Sequence, residues 1–472
     1  MPDDKNYLGV TMDEKKGNFP STVTLENFSS TATLNEPVRI PISKLNYPEK
    51  QYNQYEHRKL EHPNTFTGAF IHVVKSSLGT GILAMPRAFK AAGLAVGFFG
   101  TLFVGMVCTH TVNMLVSASQ KMCVKTKTPS LGYAETAEAV FQNGPKGFRR
   151  WAGFARNFSE LALALTYAAG IAVYVVFISE SMQKLLSVYY PSLGSDEWSL
   201  YFKLIILGPL VLCCQVRELK HLVPFSFVAN ITMSLAFAIT LYYTFSKIQH
   251  VEVAERKMWT DWSGIPSFFS TAIFAMEGIG TIMPVENSMV TDRFLGCPGV
   301  LNLGMLVVVT FFATMGSFGY YAFGDETAAT ITQNLPSNEI LAQVVQAAIS
   351  SAVFFTFMLQ FYVPTDIVWR KIEPLVSRER RDLAQVLTRT GLVVFIVAIG
   401  AAAGHHLDAL IDLAGSIFLS TLGFLIPAVL DIVINWEDWG RWNYILVKDL
   451  LISAFSLFGL VSGTYFAILE FS

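Results

Sequence analysis

The sequence predicts an all-α polytopic membrane protein. It would have about eleven transmembrane helices: two five-helix inverted repeats plus one extra helix, with spans one and six discontinuous. Three observations predict it. Of the 472 residues, 52% are hydrophobic and only 15% charged, where a soluble protein carries about 25% charged residues. Apolar runs of roughly 20 residues recur along most of the chain, each long enough to cross ~30 Å of hydrocarbon. Two of those runs, five spans apart, carry the same interruption: a pair of glycines and then Met-Pro.

The elements follow in order. Residues 1–65 are rich in Asn, Ser, Thr, Pro and charge, and read as a disordered cytosolic tail with a short ordered segment at its end. The membrane domain spans 66–472. Apolar segments lie at roughly 66–90, 93–119, 152–182, 201–216, 222–246, 265–288, 298–322, 339–364, 386–403, 408–430 and 447–469. The inverted repeats cover about 66–246 and 265–430, and 447–469 is the extra span. With the amino terminus inside, Lys and Arg in the inner segments outnumber those in the outer ones three to one. The amino terminus is therefore expected in the cytosol and the carboxyl terminus on the far side. The net charge of −2 and the lack of a basic cluster give no support to a nucleic-acid partner. Five cysteines without C-x-x-C spacing imply neither a metal site nor an outer-loop disulfide. No cofactor is implied.

The two interruptions carry the chemistry. Span one has Gly79-Thr80-Gly81 and then Met85-Pro86; span six has Gly278-Ile279-Gly280 and then Met283-Pro284. With five helices per unit the second copy is inverted, and paired broken helices are the best sequence pointer to a transporter site. A glycine pair relaxes the helix and frees backbone N–H and C=O groups at membrane depth. Such groups are tolerated only where they line a cavity or meet a ligand. Close packing by small residues would explain one break, but not two matched ones.

An amino acid suits this setting. Its carboxylate can take the N–H groups at the start of the second half of helix one, where the helix dipole is positive. Its ammonium can take the freed carbonyls. Ser77, Gly79, Thr80 and Gly81 are the expected carboxylate side, and Glu277, Gly278 and Ile279 the other edge, with Tyr167 and Phe274 as walls. Ionisable residues within spans are functional candidates. His72 is the candidate proton carrier, because histidine titrates nearest neutral pH. Lys75 lies one turn away and reads as structural. Arg156 and Glu160, spaced i,i+4, are expected to pair, and Glu286 to belong to a cytosolic gate or interface. No nucleophile–base arrangement suggests an enzyme.

The stretches I-H-V-V-K-S-S-L-G-T-G-I-L-A-M-P, F-A-M-E-G-I-G-T-I-M-P-V-E-N and L-Q-F-Y-V-P-T-D-I (359–367) resemble the proton-coupled amino acid transporter family. This is a branch of the amino acid/auxin permease group. D-L-A-G-S-I-F-L-S-T-L-G-F-L-I-P (412–427) is a weaker fourth match. The resemblance implies eleven spans in the leucine-transporter-like fold and a small neutral amino acid as substrate, usually carried with a proton. It also implies a role in proton coupling for His72, the histidine of the I-H-x-x-K motif. Where the family often has G-N-I-G-T-G this chain has S-S-L-G-T-G, so Ser76 and Ser77 would alter selectivity. The family works at the plasma membrane and in lysosomal or endosomal membranes. The expected function is secondary active transport of small neutral amino acids by proton symport. The alternatives are an uncoupled or sodium-coupled carrier, or an amino acid sensor signalling through a cytosolic partner of the tail.

Overall fold

The computed structural model describes residues 22–25, 38–41, 52–60, 62–217, 223–249, 251, 256–276 and 278–471. It divides into two units, Met1–Asn53 and Gln54–Ser472. In the first, Thr22–Leu25 pairs antiparallel with Val38–Pro41, so the expected tail contains a short two-stranded element. The second is the helical body. Its boundary falls at Gln54 rather than at the expected 66, because the residues before the first span are held by side-chain contacts described below.

α1 (Gln54–His57) precedes the first span, which is α2 (Phe66–Ser77) and α3 (Gly81–Ala92). Thr65 caps α2, its hydroxyl accepting from the Gly68 N–H, as N-cap residues do. Gly93 then turns the chain at φ +90°, a left-handed value that favours glycine. α4 (Leu94–Thr126), α5 (Tyr133–Asn143), the single turn α6 (Lys146–Arg149), α7 (Ala152–Ser187), α8 (Glu197–Cys213) and α9 (Val223–Ile248) follow. The sixth span is α10 (Ile265–Ala275) and α11 (Ile279–Asn287). After it come α12 (Val300–Phe323), α13 (Ile340–Ile372) and α14 (Arg381–Ala402). The tenth span starts as α15 (Leu407–Leu413), widens into π turns over Ala414–Leu419 and Thr421–Leu425, and ends as α16 (Ile426–Ile434). α17 (Tyr444–Phe471) closes the chain.

Among the described residues, nine helices are long and apolar enough to cross a membrane, and the pair α2/α3, bent by 53°, makes a tenth. The eleventh expected span is α8, whose 17 residues rise ~25 Å, at the short end of the range for a helix that crosses the ~30 Å hydrocarbon core. Both expected discontinuities are present, between Ser77 and Gly81 and between Ala275 and Ile279. The two broken spans are packed into the middle of the bundle: α3 lies against α10 and α12, while α13 packs on α7 and α9.

Candidate substrate site

The two breaks meet. At Gly81 a Cβ would come within 2.9 Å of the Ala275 carbonyl oxygen, so the start of α3 touches the end of α10 backbone to backbone. At Gly278 a Cβ would lie 2.6 Å from Ser77 Oγ, and at Gly280 it would lie 2.6 Å from the Tyr167 hydroxyl. Glycine is thus required where helix one, helix six and α7 converge. Gly79 differs: nothing lies within 4 Å of the place its Cβ would occupy. That open space is a cavity of about 310 Å³, at the small end of ligand pockets.

The cavity is lined by most of the residues expected from the sequence. His72, Ser77, Gly79, Thr80, Gly81 and Phe274 all face it. Gly278 and Ile279 line a smaller space of about 30 Å³ that shares Ser77 with the main cavity. With Tyr167 they also line a second one of about 20 Å³ that shares Ser76, Thr281 and Gln360. Glu277 lies outside the described residues.

At the floor, Thr80 precedes α3 without capping it, and the Leu83 N–H turns back to the Thr80 carbonyl at 3.0 Å. The first N–H groups of this 12-residue helix have no side-chain cap, and they sit at its positive end. Those donors suit a carboxylate. Carbonyls at the carboxyl ends of α2 and α10, lacking helical partners, supply acceptors for a cation on the same ligand.

Several lining residues were missed in the sequence. Tyr174 of α7 receives a hydrogen bond from Gln360 Nε2 of α13 at 3.0 Å, joining the two helices across the cavity wall. Ser226 of α9, also unmarked in the sequence, accepts from Lys75 at 3.3 Å, in keeping with the structural role expected of that lysine. Gln360 falls within the stretch 359–367 that carried the family resemblance; Tyr174 stood in an apolar run with nothing to mark it.

Charged clusters bracket the breaks. Arg58, buried, donates to Glu286 Oε2 at 2.9 Å and to the carbonyls of Glu286 and Met289 at 2.8 Å each. Gln120 of α4 donates to Glu286 Oε1 at 3.0 Å and contacts Tyr55 at the same distance. Burial, with the Glu286 carboxylate next, pushes the Tyr55 phenol above its usual range. Glu286 therefore does serve an interface, and its partner is the segment leading into the first span. At the other end of helix one, Arg87 forks onto Glu470 at 2.9 and 3.0 Å and reaches Asp412 at 3.2 Å. Asp412 also accepts from Ser267 and Thr271 of α10, each at 2.5 Å. Asp408 lies 3.7 Å from Arg87 Nε. This group ties α3, α10, α15 and α17 together beyond Gly81. The expected pair Arg156–Glu160 forms at 3.3 Å and is extended by Glu138 and Lys371.

Comparison with known proteins agrees with this architecture. Residues 62–469 match the family model described as transmembrane amino acid transporter protein. The chain belongs to that family. It is 38% identical over 419 residues to the proton-coupled amino acid transporter-like protein pathetic of Drosophila melanogaster, covering 88% of this chain and 87% of that one. It is 26% identical to the amino acid transporter AVT3C of Arabidopsis thaliana, over 86% of this chain and 90% of the other. Among solved structures, MhsT in complex with L-phenylalanine aligns with a TM-score of 0.49 at 14% identity, over 88% of this chain and 98% of the other. The transporter Mhp1 with bromovinylhydantoin bound aligns at 0.48 and 13%, over 90% and 94%. The protein is a multi-pass membrane transporter of amino acids, not an enzyme.

Proposed function

We propose that this transporter carries small neutral amino acids by proton symport, with its amino terminus in the cytosol and the substrate held at the paired breaks. The observation that carries the reading is the juxtaposition of an uncapped α3 amino terminus with an open space at Gly79. A carboxylate meets the N–H groups there, and the ammonium one carbon away meets the loosened carbonyls. The cavity of about 310 Å³ has room for an amino acid.

The conformation supports alternating access. His72 and Lys75, toward the amino-terminal end of helix one, are exposed, whereas Thr80 and Gly81 at the other end of the cavity are buried. With the amino terminus in the cytosol the site is open inward, and the Arg87 cluster lies on the closed outer side. His72 stands on the open side of the cavity, where a histidine can exchange a proton with the cytosol during release. The Drosophila relative's description as proton-coupled supports that direction. Whether the membrane is plasma, lysosomal or endosomal is read from expression.

The test is uptake of labelled glycine, alanine, proline and tryptophan in acidic and neutral external buffer, with and without sodium. Saturable uptake of the small substrates that rises in acid and ignores sodium supports the proposal. Uptake that needs sodium, or ignores the proton gradient, replaces it with another coupling in the same site.

A further inference from the structure

A second cluster of ionisable side chains lies within the bundle, away from the cavity. Where α16 meets α17, Lys448 stands between two carboxylates, 2.9 Å from Asp431 Oδ2 and 2.9 Å from Asp449 Oδ1. Asn435 braces Asp431, donating to its Oδ1 at 2.8 Å. Asp449 is 0% exposed, on a helix apolar enough to cross the membrane. The Lys448 ammonium is its ion-pair partner, and among the described residues neither Asp449 oxygen accepts a hydrogen bond of good geometry. One turn along α17, Ser453 Oγ also lacks a partner.

Two carboxylates around one ammonium leave a net negative charge where Asp449 is fully buried and Lys448 and Asp431 are only 16% and 14% exposed. An isolated buried charge of this kind is resolved by taking up a proton rather than by staying ionised. We propose that Asp449, with Asp431 and Lys448, forms a proton-binding site at the junction of α4, α16 and α17, separate from His72. A proton on Asp449 brings the group to neutrality. The other ionisable group facing the cluster is His110 of α4, within electrostatic range of Lys448 and Asp431. At the opposite end of α17, Glu470 belongs to the Arg87 cluster, roughly 30 Å away by helical rise.

The geometry also gives the site an outlet. α4 packs on α16 and on the broken spans α3 and α10. Loss or gain of charge beside His110 therefore acts on a helix in contact with the substrate-binding elements.

Infrared difference spectra of the purified full chain, recorded between neutral and acidic buffer, test this without relying on transport. The expected result is a carboxylic-acid carbonyl band that appears on acidification and is lost in Asp449→Asn, but kept in Glu470→Gln. If the asparagine variant does not fold, Asp449→Glu is read instead, and the band shifts in frequency. A wild-type spectrum with no such band overturns the proposal, as does one that Asp449→Asn or Asp449→Glu leaves unchanged. A band that follows sodium at fixed pH also overturns it, because the ligand would then be a metal cation.

Discussion

Gly79 and Gly81 lie two residues apart and meet opposite surroundings. Around Gly79 there is open cavity, while Gly81 presses on the Ala275 backbone. Their substitutions are therefore expected to fail in different ways. Gly79→Val puts three carbons where a substrate would sit, so uptake is lost while thermal stability and surface expression stay near wild type. Gly81→Ala forces helix one away from helix six, an overpacking effect of roughly 1–3 kcal/mol that a thermal-unfolding measurement reads as a lower midpoint. His72→Ala is expected to abolish the pH dependence of uptake while leaving the folded protein intact. An unchanged pH profile would make His72 a packing residue. Arg58 and Glu286 are 2% and 1% exposed in their side chains. Arg58→Ala alone leaves a buried carboxylate unpaired, at a cost of roughly 3–5 kcal/mol. The double variant Arg58→Ala with Glu286→Gln is expected to regain part of that stability, the signature of a coupled pair.

At the scale of elements, both broken helices were legible because a glycine pair followed by Met-Pro interrupts a run that lipid would otherwise keep helical throughout. The span positions were legible from hydropathy, but several helices run on past the apolar segment. α7, for example, starts at Ala152 as expected and runs on to Ser187, five residues beyond the expected end. The Arg87 cluster was not. Its partners Thr271, Asp412 and Glu470 are 184, 325 and 383 residues away, and nothing near Arg87 in the sequence marks them. α8 was legible as an apolar segment at 201–216, but it lies a few residues earlier, because Glu197, Trp198 and Lys203 inside its first two turns blur the hydropathy edge. The Arg87 cluster predicts an element-level effect. Arg87→Lys keeps the charge but cannot fork onto Glu470 while also reaching Asp412. Thermal stability and uptake are both expected to fall, and Glu470→Gln, on a half-exposed carboxylate, is expected to fall less in both.

For the whole molecule, two halves that each open with a broken helix place a cavity in the middle of an apolar bundle. On the proposed reading, backbone groups that lipid would penalise serve as the recognition surface. The Arg58 and Arg87 clusters stand at opposite ends of helix one, so each end of the path has its own set of ionic contacts to break during a transport cycle. Everything proposed for transport depends on substrate occupying the space beside Gly79. Equilibrium binding of labelled alanine to purified wild-type protein and to purified, folded Gly79→Val decides whether it does. Saturable binding to the wild type and none to the variant, at equal thermal stability, is the expected result; equal binding by both would place the substrate elsewhere.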